Sequence, residues 1–246
     1  MPNPSTFETS NLVKHSLAEE LRKEIIVGSL KPGMRIVEGT WGKKFGVAQG
    51  SVREALNILA VEGFVSKEQG RSARVIHFTE LDVLQLYEVR GVLEGLAARL
   101  AANCKPDFAL LRIAMENLRI AARAGGGVDL IDCDLKFHLE ICRLSGNPHL
   151  LDHARRILVP FFAFVRIRVA VSGDETSSWG QDIDAHQRIF DLISDGEGEV
   201  AEQYVKKAMT RFSQSAQENW DKRVVEGKRS RRRSAQSQSA KEVAER

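Results

Sequence analysis

Asp134 and His138 stand four residues apart, a spacing that puts both side chains on one face of one helix. That face is otherwise lined by Ile131, Leu135, Ile141 and Cys142, so a carboxylate there without a partner would be costly. His186, on a later helix, is the natural third group. One carboxylate oxygen with two imidazoles suits a divalent ion such as zinc, nickel or manganese. The same three side chains can instead form a hydrogen-bonded cluster with no ion, and the spacing alone does not choose between the two. Arg90 and Glu94 are also four apart, which makes an intrahelical ion pair their simplest role. Arg166 and Arg168 belong to a helix expected to border the same cavity.

A different chemistry resides in residues 46–65. Val52, Leu56, Leu59 and Ala60 recur at three- and four-residue spacing and form an apolar stripe, leaving Gln49, Gly50, Arg53 and Asn57 on the other side. Gly46 and Gly50 mark a tight entry, and Gly63 a left-handed helix end. A short helix with such a face fits the major groove of DNA. Arg53 can bind a guanine through two parallel hydrogen bonds or hold a phosphate, and the amide of Gln49 matches the edge of an adenine.

The elements that must carry these residues follow from periodicity and breakers. Residues 1–10, with two prolines, read as a mobile lead. A helix is expected over residues 11–27, a Pro32-Gly33 turn, a short helix over 39–45 containing Gly39 and Gly42, then the helix of the 46–65 stretch. Two short strands around Gly70 complete an 11–77 winged helix-turn-helix domain. From Thr79, a helix cap, six helices are expected to about residue 223: 79–103, 106–123, 129–145, 148–171, 178–195 and 199–223. The fold class is therefore mainly α, an N-terminal winged helix-turn-helix with a small β wing and an all-α six-helix bundle. Residues 224–246, with the run Lys228-Arg229-Ser230-Arg231-Arg232-Arg233, have the composition of a disordered basic tail.

Charge divides the chain in the same way. Residues 1–77 carry eleven Lys and Arg against eight Asp and Glu, residues 78–220 sixteen against twenty-one, and residues 221–246 nine against four. Phosphate neutralisation requires a basic first domain, and the acidic middle points away from DNA. The chain has 246 residues, 43% of them hydrophobic and 28% charged, with no run long enough to span a bilayer and no signal-peptide start, so a cytoplasmic protein is expected. Cys104, Cys133 and Cys142 lack paired ligand spacing and read as buried, reduced core residues.

The run from Ile25 through "G.LKPG.R" and "GV….VREAL..L..EG.V" resembles the GntR family of bacterial transcription regulators. The run "LYEVR..LE..AARLAA" at 86–102, Asp134 to His138 followed by "SGNP" at 145–148, and Asp184-Ala185-His186 with "DLI.DGE.E.AE" resemble the FCD effector domain of its FadR subfamily. The resemblance implies a homodimer on a double-stranded DNA operator, probed by Arg35, Gln49, Gly50, Ser51 and Arg53, with Gln69, Gly70 and Arg71 at the wing tip. It also implies a small carboxylate effector held by Arg90, Asp134, His138 and His186, and a repressor whose DNA binding that effector modulates. Two departures matter. Residues 48–51 read Ala-Gln-Gly-Ser where the family usually has Ser-Arg-Thr-Pro, with Gly39 at a frequent Arg position, and Ala208 occupies the position of the family's further His ligand. They keep open a DNA binder that has lost its effector response, beside the remote reading of a metal hydrolase built on Asp134, His138 and His186.

Overall fold

The computed structural model describes residues 4–67, 72–104, 106–125, 127–172 and 179–218. The wing tip (Gln69, Gly70, Arg71) and the basic tail lie outside these residues. The first domain is built from α1 (Pro4–Ile26), β1 (Arg35–Ile36), α2 (Glu38–Phe45), α3 (Gln49–Val61), β2 (Val65–Ser66) and β3 (Ala73–Val75). Leu17, Leu21 and Ile25 of α1 and Val52, Leu56 and Leu59 of α3 are buried in one core, which is why the amphipathic pattern of α3 is legible and its other face is free.

Two details differ from expectation. The first helix begins at Pro4, so residues 4–10, read as a mobile lead, are helical; proline is tolerated in a first turn, where its missing N–H has no helical partner to lose. Among the described residues the wing has three strands, because Arg35–Ile36 adds an antiparallel edge to β3, pairing Arg35 with Arg74 and Ile36 with Ala73. A two-residue strand is too short to leave an alternating pattern.

Among the described residues the second domain has six helices, as expected: α4 (Glu80–Cys104), α5 (Ala109–Arg123), α6 (Val128–Leu144), α7 (Pro148–Ser172), α8 (Trp179–Ser194) and α9 (198–218). Thr79 opens α4 through a reciprocal cap. Its N–H donates to Asp82 Oδ2 at 2.7 Å, and the Asp82 N–H donates to Thr79 Oγ1 at 3.2 Å. α6 packs against α4, α5 and α7. Gly91 and Gly95 let α9 lie close on α4: a Cβ on Gly95 would stand 3.2 Å from the Glu202 carbonyl oxygen. Among the described residues no helix is long and apolar enough to cross a membrane. The three cysteines are free, but only Cys142 is buried; Cys133 is half-buried and Cys104, the last residue of α4, is exposed.

The domains meet along α7. Gly63, just beyond α3, has φ +78°, and a Cβ there would stand 2.8 Å from the backbone of Val159 and Pro160. Phe78 packs edge-on to Phe164 and the Arg166 guanidinium lies over the Phe64 ring, while within the first domain Arg22 grips Glu62 through two nitrogens at 2.7–2.9 Å. Gly63→Ala adds both a left-handed-region penalty and a backbone clash. It should lower the unfolding free energy by at least about 1 kcal/mol in urea titration. An unchanged value would mean that the chain relieves both the positive φ and the clash at no cost.

Candidate functional site

Asp134, His138 and His186 converge inside the bundle, each less than 9% exposed. α6 supplies the first two from adjacent turns, and α8 brings the third. Asp134 Oδ1 lies 3.0 Å from His138 Nε2 and 2.9 Å from His186 Nε2, and the two imidazole nitrogens are 3.2 Å apart. Three donor atoms thus crowd one point. Phe137 meets His186 edge-on and Phe162 lies beside the His138 ring, so the surroundings are apolar.

Behind this trio is a second layer that sequence reading recognised only in part. Arg90 Nε donates to Glu94 Oε1 at 2.7 Å, the expected intrahelical pair. The other oxygen of Glu94 lies 2.6 Å from His138 Nδ1, close but poorly aligned for a hydrogen bond. Glu94 is therefore the site residue that went unnoticed as such, since i,i+4 spacing reports contacts along a helix and not across to α6. The Arg90 guanidinium is covered by Tyr87, Phe161 and Phe162, at 5.3, 4.6 and 5.0 Å from the ring centroids. It reaches the trio through Glu94.

The charges order themselves along this chain. Burial alone would raise the carboxyl of Glu94, but Arg90 and His138 outweigh it and hold it down to about 2. Burial would likewise raise Asp134, yet the two imidazoles hold it well below the usual carboxylate range. Burial opposes charge on His138, and Glu94 and Asp134 overcome that and lift it to about 9. A doubly protonated His138 can face both carboxylates. A neutral one, with its proton on Nδ1 toward Glu94, presents a lone pair at Nε2 and can ligate a cation.

The donor set fits a divalent ion. Bonds of about 2.1 Å at right angles separate neighbouring donors by about 3 Å, the spacing found here, whereas a tetrahedron would need about 3.4 Å. Ala208, fully buried in α9, offers no ligand atom. Neither Arg166 nor Arg168 joins the trio: Arg166 bonds Asp132 Oδ1 at 3.1 Å at the domain junction, and Arg168 lies over the Phe164 ring.

The other candidate surface is the exposed side of α3. Gln49, Gly50 and Arg53 are exposed and Ser51 half-buried. Gln49 folds back over α2, where a Cβ on Gly39 would stand 3.1 Å from its Nε2. Arg35 is exposed at the wing base and donates from Nε to Ser72 Oγ. Lys67 Nζ donates to Asn57 Oδ1 at 2.6 Å, tying the wing to α3.

The match to family models follows this division, with the bacterial regulatory protein gntR family over residues 14–75 and the FCD domain over residues 85–211, more than half of the chain. The chain belongs to the GntR family, with an FCD domain. It is a DNA-binding transcription regulator, and its relatives are regulators, not enzymes. The HTH-type transcriptional regulator YdhC of Bacillus subtilis is 29% identical over 192 residues, covering 76% of this chain and 83% of YdhC. The Glc operon transcriptional activator of Escherichia coli K12 is 32% identical over 156 residues, 55% of this chain and 61% of the activator. The gluconate operon transcriptional repressor of Bacillus subtilis is 30% identical over 136 residues, 54% of this chain and 56% of the repressor. Solved structures with the same fold include Escherichia coli McbR/YncC, with a TM-score of 0.64 at 20% identity (85% of this chain, 98% of that one). A GntR regulator from Rhodococcus sp. RHA1 gives 0.63 at 22% (82% and 96%).

In this GntR regulator the sign of pH dependence is set by His138 and Glu94. The raised pKa of His138 stabilises the metal-free fold fully below its ordinary 6.5, and that stabilisation is lost as pH rises through about 9. The depressed pKa of Glu94 stabilises above 4.5 and is lost as pH falls through about 2. Calorimetry of EDTA-treated protein should show Tm falling between pH 6.5 and 9, and His138→Gln should flatten that limb. A wild-type Tm that stays level there would mean that His138 is neutral in the fold.

Proposed function

We propose that this regulator is a cytoplasmic homodimeric repressor that reads a two-fold DNA operator through α3 and the wing. A small carboxylate bound in the FCD bundle modulates it through a divalent metal on Asp134, His138 and His186. The observation carrying the sensing half is the convergence of Asp134 Oδ1 and the two Nε2 atoms within 3.2 Å, with Glu94 behind His138. When bound, zinc, nickel or manganese would supply Lewis-acid affinity for a carboxylate oxygen. The chain's own part is to keep His138 Nδ1 against Glu94, so that Nε2 is free to ligate, and to exclude water with Phe137 and Phe162. With alanine at position 208, three side chains complete the protein's share, which leaves positions for the oxygens of a ligand. The names of two relatives refer to the Glc and gluconate operons; gluconate is a hydroxy acid, in keeping with a small-carboxylate effector.

In the first turns of α3 Gln49, Gly50 and Arg53 are exposed and Ser51 half-buried, and Arg35 is exposed at the wing base, which supports the DNA-reading half. Leu110, Ile113 and Ile120, each 56% exposed along α5, offer apolar surface for a second copy. The link between the halves is α7, whose Pro160 touches Gly63 while Phe161 and Phe162 touch Arg90 and His138.

Metal analysis of purified, reloaded protein should give near one ion per chain, and Asp134→Ala should lose it. A wild type that stays empty after reloading would sink the sensing half and favour a DNA binder without effector response. Arg53→Ala should weaken operator binding by at least about 1 kcal/mol in fluorescence anisotropy, with Tm unchanged. Unaltered affinity would move the DNA contact off α3.

A further inference from the structure

Arg53 does not stand free on the exposed side of α3. Glu38, in the first turn of α2, takes its Nε at 3.1 Å through both carboxylate oxygens and its Nη2 at 2.8 Å through Oε2. The Arg53 side chain keeps 59% of its exposure and that of Glu38 only 22%, so the carboxylate lies behind the guanidinium and not in front of it. The charge on Glu38 is doubly secured. The Arg53 hydrogen bond foremost holds its carboxyl below the ordinary range, with Lys67 contributing, and the N-terminus of α2 favours an anion.

We propose that Glu38 is a specificity-determining positioning residue, which aims Arg53 at a guanine edge and turns it away from phosphate. The inference rests on α3 being the DNA-reading element. A guanidinium has two edges that present paired N–H groups. Glu38 occupies the edge formed by Nε and Nη2, which leaves the Nη1 and Nη2 edge pointing outward with two parallel donors. Guanine offers two acceptors, O6 and N7, at a matching separation and carries no charge. A phosphate at the same edge would bring a negative charge beside the fixed carboxylate, and in the partly dehydrated groove that repulsion is weakly screened. Gly50, one turn before Arg53, contributes no side chain of its own beside it, and the space where its Cβ would stand is open. Among residues 49–61 Arg53 is the sole arginine, so discrimination at this edge falls on it.

The test begins with selection of duplexes from a random library by the full-length protein, repeated with Arg53→Gln, Glu38→Gln and Glu38→Ala. Anisotropy then compares the selected duplex, the same duplex with its preferred guanine replaced by adenine, and poly(dA-dT), which carries no O6/N7 acceptor pair, each across a salt series. In wild type, and not in Arg53→Gln, one guanine per half-site should be preferred. Glu38→Gln should cut that preference about tenfold or more and steepen the salt slope by about one, while poly(dA-dT) binds tighter. Glu38→Ala should behave alike, and matched Tm values would exclude misfolding as the cause. If both Glu38 variants keep the wild-type guanine preference and salt slope, Glu38 is structural and the proposal falls alone. If wild type enriches no sequence, or Arg53→Gln keeps the guanine, the assignment of α3 as the reading element fails and takes the proposal with it.

Discussion

The constraint on which the bundle is organised is the cost of burying charge. Arg90, Glu94, His138, Asp134 and His186 form an unbroken chain across α4, α6 and α8, in which each ionised group faces one of opposite sign or an imidazole. Removing one partner from such a chain leaves its neighbour charged in an apolar interior, a loss of about 3–5 kcal/mol. That penalty makes the relative placement of three helices specific where packing alone would tolerate some sliding. The aromatic rings over Arg90 continue the constraint into α7, because the guanidinium surrenders water and recovers only part of the loss from the ring faces.

How much of this was legible in the sequence depended on whether the signal was local. The stripe of α3, the Thr79 and Asp82 cap and the Asp134 and His138 pair are relations within four residues, and they reappear in the structure as read. His186 was reachable because buried imidazoles are few and its neighbours resemble a known domain. Glu94 was assigned half its role: the bond to Arg90 runs along the helix, whereas the contact to His138 depends on how α4 crosses α6, which no spacing encodes. β1 and the helical residues 4–10 were missed for the opposite reason, one being too short to show a period and the other containing a proline that usually argues against a helix. Cys104 misled because it follows an apolar run yet is the exposed last residue of α4.

Arg90 and Arg53 are each held by a glutamate. On α4 the pair is sealed under aromatic rings and serves to fix His138; on α3 it is open to solvent, where the same geometry contributes little to stability. A surface pair that adds little to stability still restricts the directions in which its arginine can point. The difference in burial therefore separates a structural use of the motif from an orienting one.

For the proposed effector response, the geometry of α7 bears on how large a signal the two domains would have to exchange. Pro160 cannot donate a backbone hydrogen bond to the carbonyl four residues earlier, so the helix is weakest where it touches Gly63 on one side and begins its Phe161–Phe162 contacts on the other. A tenfold change in operator affinity corresponds to about 1.4 kcal/mol. An edge-to-face ring contact is worth about 0.5–1.5 kcal/mol. Rearrangement of the edge-to-face Tyr87–Phe161 and Phe78–Phe164 contacts would therefore supply a shift of that size without separating the domains. Because no Cβ intervenes between Gly63 and Pro160, a small tilt of the upper half of α7 reaches the end of α3 through backbone alone, where no side chain can absorb it by changing rotamer.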